Sequence, residues 1–217
     1  MNIYSIKNQV ALENTYILEN DQALLVIDPG SNTQEILDKL KELAKPVAAI
    51  LLTHAHYDHI MSLDAVRDAF EQAPVYISEK EAGWLTSPVD NLSGLPRHDD
   101  MADVTARPAN HFYRNYQSYD LVDFTFSVVP TPGHSWGSVS LIFKDEAVVF
   151  SGDALFCETI GRTDLPTGNR QQLLDSIRQE LFTLPNHYQV YPGHGFDTTI
   201  GHEKSFNPFF ICDRDWR

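Results

Sequence analysis

The sequence predicts a layered α/β protein, a sheet sandwich with helices outside, and three observations carry that prediction. Short strand-like runs recur in both halves of the chain. Segments with helical spacing lie between them. Several of the runs end on a small-residue turn followed by a single His or Asp. Thr15 to Leu18 and Ala23 to Ile27 read as strands meeting at Glu19-Asn20-Asp21-Gln22, and Asp28-Pro29-Gly30 breaks the second. Ser31 or Asn32 can cap a helix from Thr33 to Leu43, with Ile36, Leu37, Leu40 and Leu43 on one apolar face. Val47 to Leu52 is a continuous apolar run of strand length, the pattern of a strand covered on both sides. Ile60 to Phe70 returns to helical spacing, and Val75 to Ile77 is a short strand.

Thr86 to Asp120 is polar, carries Pro88, Pro96 and Pro108, and reads as a long loop or flap of the functional kind. Three strands follow, Phe124 to Val129, Ser138 to Phe143 and Ala147 to Ser151. Beyond them come a helix from Asn169 to Leu181, capped by Asn169, and a last strand from Gln189 to Tyr191. No linker divides the chain, so a single domain over residues 1–217 is expected.

The 217 residues are 42% hydrophobic and 21% charged, ordinary for a soluble globular protein. A formal charge of −14, without a basic run, argues against nucleic acid as partner. No apolar stretch approaches the roughly 20 residues that span a bilayer, and the N-terminus lacks the order of a signal peptide. Two cysteines, Cys157 and Cys212, build no disulfide framework, so a cytoplasmic setting is expected. Cys157, four residues after Asp153, reads as a small buried hydrophobe, with a place near the site as the alternative. The apolar tail Phe206, Phe209, Phe210, Ile211 and Trp216 either docks on its own domain or makes a dimer contact.

Chemistry concentrates in Thr53-His54-Ala55-His56-Tyr57-Asp58-His59, directly after the buried strand. In extended backbone His54, His56 and Asp58 share a face, while His59 sits where the next helix begins. Imidazole nitrogen and carboxylate oxygen suit zinc, iron and manganese, and four such side chains so close together are hard to explain by packing. Three further turns repeat the form of strand, small-residue break and ligand-type residue: Thr131-Pro132-Gly133-His134-Ser135, Ser151-Gly152-Asp153 and Tyr191-Pro192-Gly193-His194-Gly195. Singly each would read as structural; beside the first cluster they become candidate ligands. Five neutral imidazoles and two carboxylates would leave two divalent ions with net positive charge, ready to stabilise an oxyanion. His98, His111, His187 and His202 lie outside such turns and read as surface or loop residues.

These residues resemble the H-x-H-x-D-H signature of the metallo-β-lactamase superfamily, and the order of motifs matches over nearly the whole chain. The resemblance implies an α/β fold, the αβ/βα four-layer sandwich of that superfamily. It also implies two divalent metal ions, zinc foremost, with iron or manganese as alternatives. Carried over by motif, His54, His56 and His134 would bind one metal, Asp58, His59 and His194 the other, and Asp153 would bridge them. Asp28 matches a carboxylate standing behind the ligands in many relatives.

Within the superfamily the sequence looks like a short subgroup of the glyoxalase II-like hydrolases. Ser151-Gly152-Asp153-Ala154-Leu155-Phe156, the stretch from Ile160 to Gly168, and Glu203 with Asn207-Pro208-Phe209 carry that likeness. Arg162 either anchors a substrate carboxylate or pairs with Asp164 to hold its loop. Full-length glyoxalase II enzymes grip glutathione with a C-terminal helical domain. Only 23 residues follow His194 here (217 minus 194), so a grip of that kind is not expected.

The resemblance thus implies hydrolysis of a thioester, such as S-lactoylglutathione or a related 2-hydroxyacyl thioester, by metal-bound hydroxide. Asp58 would serve as ligand and as orienter of the nucleophile. The expected partner is a small-molecule substrate, with neither nucleic acid nor membrane, and the expected assembly is a monomer or homodimer. The alternative is a mononuclear-iron persulfide dioxygenase using His54, His134 and Asp153. A non-catalytic metal protein is a third reading, opposed by the absence of cysteine from the cluster.

Overall fold

A computed structural model describes residues 1–98 and 100–211; Cys212, read above as building no disulfide, and Trp216 of the apolar tail lie outside the described residues. The chain forms two compact units, Met1–Tyr113 with Asp120–Phe124, and Arg114–Tyr119 with the chain from Thr125 onward.

The first unit is built on a six-stranded sheet. Its strands are β1 (Asn2–Lys7), β2 (Asn14–Glu19), β3 (Leu24–Ile27), β4 (Val47–Leu51), β5 (Val75–Ile77) and β6 (His111–Phe112), paired in that order. β2 and β3 form the expected antiparallel hairpin, with Tyr16 opposite Ile27. β3, β4, β5 and β6 run parallel, so their connections must cross over. The first crossover is α1 (Thr33–Leu43), with the bounds the apolar stripe predicts, and Ile36 and Leu40 are its buried residues. Asn32 sits at its N-cap position but makes no cap hydrogen bond; its Oδ1 accepts from the Gln9 N–H instead. The second helix, α2, is shorter than predicted, Leu63–Ala69: residues 60–62 continue as turn after the 3₁₀ turn Tyr57–His59, and Phe70 is the C-cap. Ile17, Leu18, Leu24, Leu25, Ile27, Ile50 and Leu51 are fully buried. Each such aliphatic side chain stabilises the fold by roughly 1.5–3 kcal/mol.

The stretch read as one long loop is more ordered than its composition suggests. It follows a 3₁₀ turn at Glu79–Thr86, holds another at Pro96–His98, and its β6 adds to the edge of the first sheet.

A second six-stranded sheet is formed by the later part of the chain, most of it in the second unit. The strands are β7 (Ser118–Leu121), β8 (Phe124–Pro130), β9 (Val139–Phe143), β10 (Val148–Gly152), β13 (Gln189–Pro192) and β14 (Thr198–Thr199), in the order β14-β13-β10-β9-β8-β7. Between β10 and β13 lie a small hairpin, β11 (Leu155–Phe156) with β12 (Thr159–Ile160), and the helix α3 (Arg170–Ser176). The Asn169 cap predicted for α3 is present: its Oδ1 accepts from the Gln172 N–H at 3.0 Å, a bond worth about 1 kcal/mol. The helix closes in a π-turn, Ile177–Leu181. Leu173, Ile177 and Leu181 join Val149, Val190, Ile200 and Phe210 in one core. Two short helices follow β14, α4 (Ile200–Phe206) and α5 (Pro208–Ile211). The apolar tail is therefore split: Phe210 docks on its own unit, edge-on to Phe182, while Phe206 stays exposed.

Candidate metal centre

In the first unit all four ligand-type residues of the signature are buried. His54 and His56 follow β4 in backbone without regular structure, as the strand-end reading requires, and His56 is extended (φ −67°, ψ 149°). Asp58 and His59 depart from that reading. They lie in the 3₁₀ turn Tyr57–His59, not on continued extended backbone and not at the start of a helix. The turn starts where the sheet no longer supplies hydrogen bonds, and the His59 N–H bonds the His56 carbonyl at 3.1 Å instead.

Asp28 organises these side chains. Its Oδ1 accepts from the Thr53 N–H at 2.8 Å and its Oδ2 from the Thr53 hydroxyl at 2.6 Å, while Oδ2 also lies 3.0 Å from His59 Nδ1. Because the Thr53 hydroxyl gives its proton to Asp28, it meets His54 Nδ1 at 3.1 Å as an acceptor. Both imidazoles are thereby fixed with the proton on Nδ1 and the lone pair on Nε2, the arrangement of metal-ligating histidines. Asp28 holds its place in the left-handed region (φ 47°), a conformation Asp tolerates better than most residues. Ligand atoms of Asp28, His54 and His59 lie within 4.8 Å of one another, and Asp58 Oδ2 is 3.8 Å from His59 Nε2.

Glu13, Glu81 and Trp84 also belong to this neighbourhood, and sequence reasoning passed over them. Glu13 is fully buried, with Oε1 3.8 Å from His59 Nδ1. Glu81 Oε2 accepts from the Ala55 N–H at 2.8 Å, bracing the turn between His54 and His56. Trp84 stacks on His56 at 5.8 Å between ring centres. Nothing local marks a glutamate in a polar stretch as buried, so only the fold reveals these roles.

In the second unit β10 and β13 are parallel neighbours, and a register shift between Phe150 and Gly152 precedes Asp153. Asp153 and His194 therefore leave adjacent strand ends, the usual place for sites in such sheets. His134 comes from the turn after β8. Its Nδ1 lies 2.8 Å from the Arg162 carbonyl; a carbonyl can only accept, so His134 too carries its lone pair on Nε2. Asp153 Oδ2 is 3.4 Å from His134 Nε2 and 3.3 Å from His194 Nε2. Those separations are long for charge-assisted hydrogen bonds. They match the edge of a tetrahedron, about 3.3 Å, spanned by two nitrogen or oxygen ligands on one zinc-sized ion. The donor set thus fits a metal.

Two glycines allow close backbone approach beside this set. A Cβ on Gly161 would lie 1.9 Å from the Asp153 carbonyl oxygen, and Gly133 (φ 131°) is pressed against the backbone of α3. Of the two roles read for Arg162, the structure holds the pair with Asp164: Nε and an Nη each donate to its carboxylate at 2.7 Å. Cys157 is half-buried, and burial, then the charges of Glu203 and Glu158, push its thiol above the usual range. His202, read as a surface or loop residue, lies half-buried in α4 with Nε2 2.9 Å from Glu158.

The family model of the metallo-beta-lactamase superfamily matches residues 10–194. The chain belongs to the metallo-beta-lactamase superfamily. It is 65% identical over 210 residues to a probable metallo-hydrolase of Streptococcus pyogenes serotype M6, covering 97% of this chain and 90% of the relative. It is 32% identical over 212 residues to the hydroxyacylglutathione hydrolase GloC of Haemophilus influenzae, covering 96% and 98%. Among solved structures, BLEG-1 B3 metallo-beta-lactamase superposes with a TM-score of 0.92 at 44% identity, over 97% of this chain and 100% of that one. TTHA1623 in a di-iron-bound form gives 0.83 at 31%, over 95% and 99%. The expected fold class is confirmed by these likenesses, and with its His and Asp donors the chain is a metal-dependent hydrolase of the superfamily. Among the described residues no helix is long and apolar enough to cross a membrane.

One expectation follows from the role of Asp28. Asp28→Ala should weaken metal binding by about 10–100-fold, the usual effect of removing a group that orients a ligand. Chelator competition on the purified protein measures this directly, and unchanged affinity would exclude an orienting role.

Proposed function

We propose that this hydrolase cleaves a thioester, with S-lactoylglutathione or a related 2-hydroxyacyl thioester as the leading substrate, in the cytoplasm. The observation that carries the reading is the likeness to a hydroxyacylglutathione hydrolase over 96% of the chain, joined to donors in both units whose tautomers are set for metal binding. By the motif order of the superfamily, His54, His56 and His134 would hold one divalent ion and Asp58, His59 and His194 a second, with Asp153 as a further ligand. Bound there, two such ions, zinc foremost, would supply Lewis acidity and lower the pKa of a water toward neutrality.

The chain's own residues do the rest. Thr53, Asp28 and the Arg162 carbonyl take hydrogen bonds from the Nδ1 atoms of His54, His59 and His134, which leaves Nε2 as the ligating atom of each ring. Asp58 is an acceptor at the rim of its turn and orients the attacking water by taking a hydrogen bond from it. A thiolate is a good leaving group, so no side chain is required as general acid.

The test is elemental analysis of protein purified without chelator under low oxygen, followed by thioester, β-lactam and persulfide assays. About two ions per chain with thioester turnover is the expected result. Faster opening of a β-lactam would change the substrate class. One iron per chain with oxygen uptake on a persulfide would replace the reading with the dioxygenase.

A further inference from the structure

We infer that Trp136 and Phe196 contact the substrate and select thioesters that carry an apolar or aromatic group, a specificity that rests on the hydrolase reading above. Two of the three ligand turns of the second unit share a pattern: Pro132-Gly133-His134-Ser135-Trp136 and Pro192-Gly193-His194-Gly195-Phe196. In each, an aromatic residue stands two places after the candidate ligand. Both histidines reach the same carboxylate oxygen, Asp153 Oδ2, at 3.4 and 3.3 Å, so the two turns converge. Yet Trp136 is 49% exposed and Phe196 77%, while Phe126, Phe143 and Phe150 of the neighbouring strands are buried.

Both aromatics stand on fixed backbone. Ser135 is buried, with its hydroxyl 2.6 Å from that of Ser138, and Gly195 takes a positive φ of 82° to turn the chain outward after His194. Phe156, edge-on to His194 at 5.8 Å, adds a third ring beside the same ligand. The cation beside these turns is matched by an anion: Arg162, whose carbonyl orients His134, holds Asp164 through two 2.7 Å bonds. A chain of net charge −14 does not attract a polyanionic substrate either. Beside His134 and His194 the second unit thus presents aromatic rings, which reward stacking and apolar burial.

The experiment compares S-mandeloylglutathione with S-lactoylglutathione, substrates that differ by one phenyl ring, on the metal-loaded enzyme. The kcat/KM ratio of the two should favour the mandeloyl ester by about tenfold. The ratio should fall toward one in Trp136→Ala and in Phe196→Ala, chiefly through KM, and Trp136→Phe should restore most of it. Metal content is measured in every variant, so loss of an ion is not mistaken for loss of a contact. A ratio that neither alanine substitution moves, or a parent enzyme that prefers the lactoyl ester, overturns the assignment. Should the loaded enzyme leave both esters intact, the thioesterase reading fails, and binding alone decides the contact. Titration calorimetry must then show mandelate binding more tightly than lactate, with the difference lost in Phe196→Ala; equal affinities overturn it.

Discussion

Asp153→Ala will leave the protein folded but reduce its bound metal to about one ion per chain or fewer, and hydrolysis will fall by about 10³-fold or more. The reasoning is geometric. Asp153 Oδ2 stands at nearly equal distances, 3.4 and 3.3 Å, from two imidazole nitrogens, so its removal deprives both of the same partner. The residue is buried at a strand end, and alanine fits the space without strain. Elemental analysis with a thioester assay on the same preparation reads both consequences. A variant retaining two ions and near-normal turnover would remove Asp153 from the centre.

The second large effect is on stability. Gly133→Ala would place a Cβ 2.3 Å from the Leu173 backbone nitrogen and 2.5 Å from its Cα, at a φ of 131° that a side chain rarely adopts. Backbone strain and overpacking each cost roughly 1–3 kcal/mol, so a loss of about 3 kcal/mol or more is expected. The contact is with helix backbone, which cannot swing aside as a long side chain would. Urea unfolding checks the figure; a loss under about 1 kcal/mol would mean that the turn and α3 separate easily.

The contrast between what the sequence announces and what it conceals follows from where each residue's environment is set. α1 is legible to the residue because its apolar stripe is written in its own eleven positions. β4 is legible for the same reason, as a continuous apolar run. The ligand types are legible because their density exceeds what packing needs. The turn at Tyr57–His59 is not, since period-two reasoning holds only while a neighbouring strand supplies partners. β1 escaped notice because Ile6 is its one buried residue, and an edge strand needs little apolar patterning. Glu13 and Glu81 escaped because their burial is imposed by segments distant in the chain, as Glu81 shows in bonding the Ala55 N–H.

The parallel pairing of β10 with β13 also has a kinetic meaning. Phe150 pairs with Tyr191 across about forty intervening residues, and Gly193 donates to the Gly152 carbonyl only once that pairing exists. Long-range parallel contacts form late, because the entropy of closing the intervening loop must be met first. The donors from His54 to His59 are contiguous and can gather an ion on a nascent chain, whereas Asp153 and His194 come together only when the second sheet has closed. With those residues as ligands, full metal affinity is expected only late in folding, so the finished protein rather than the emerging chain would choose the ion.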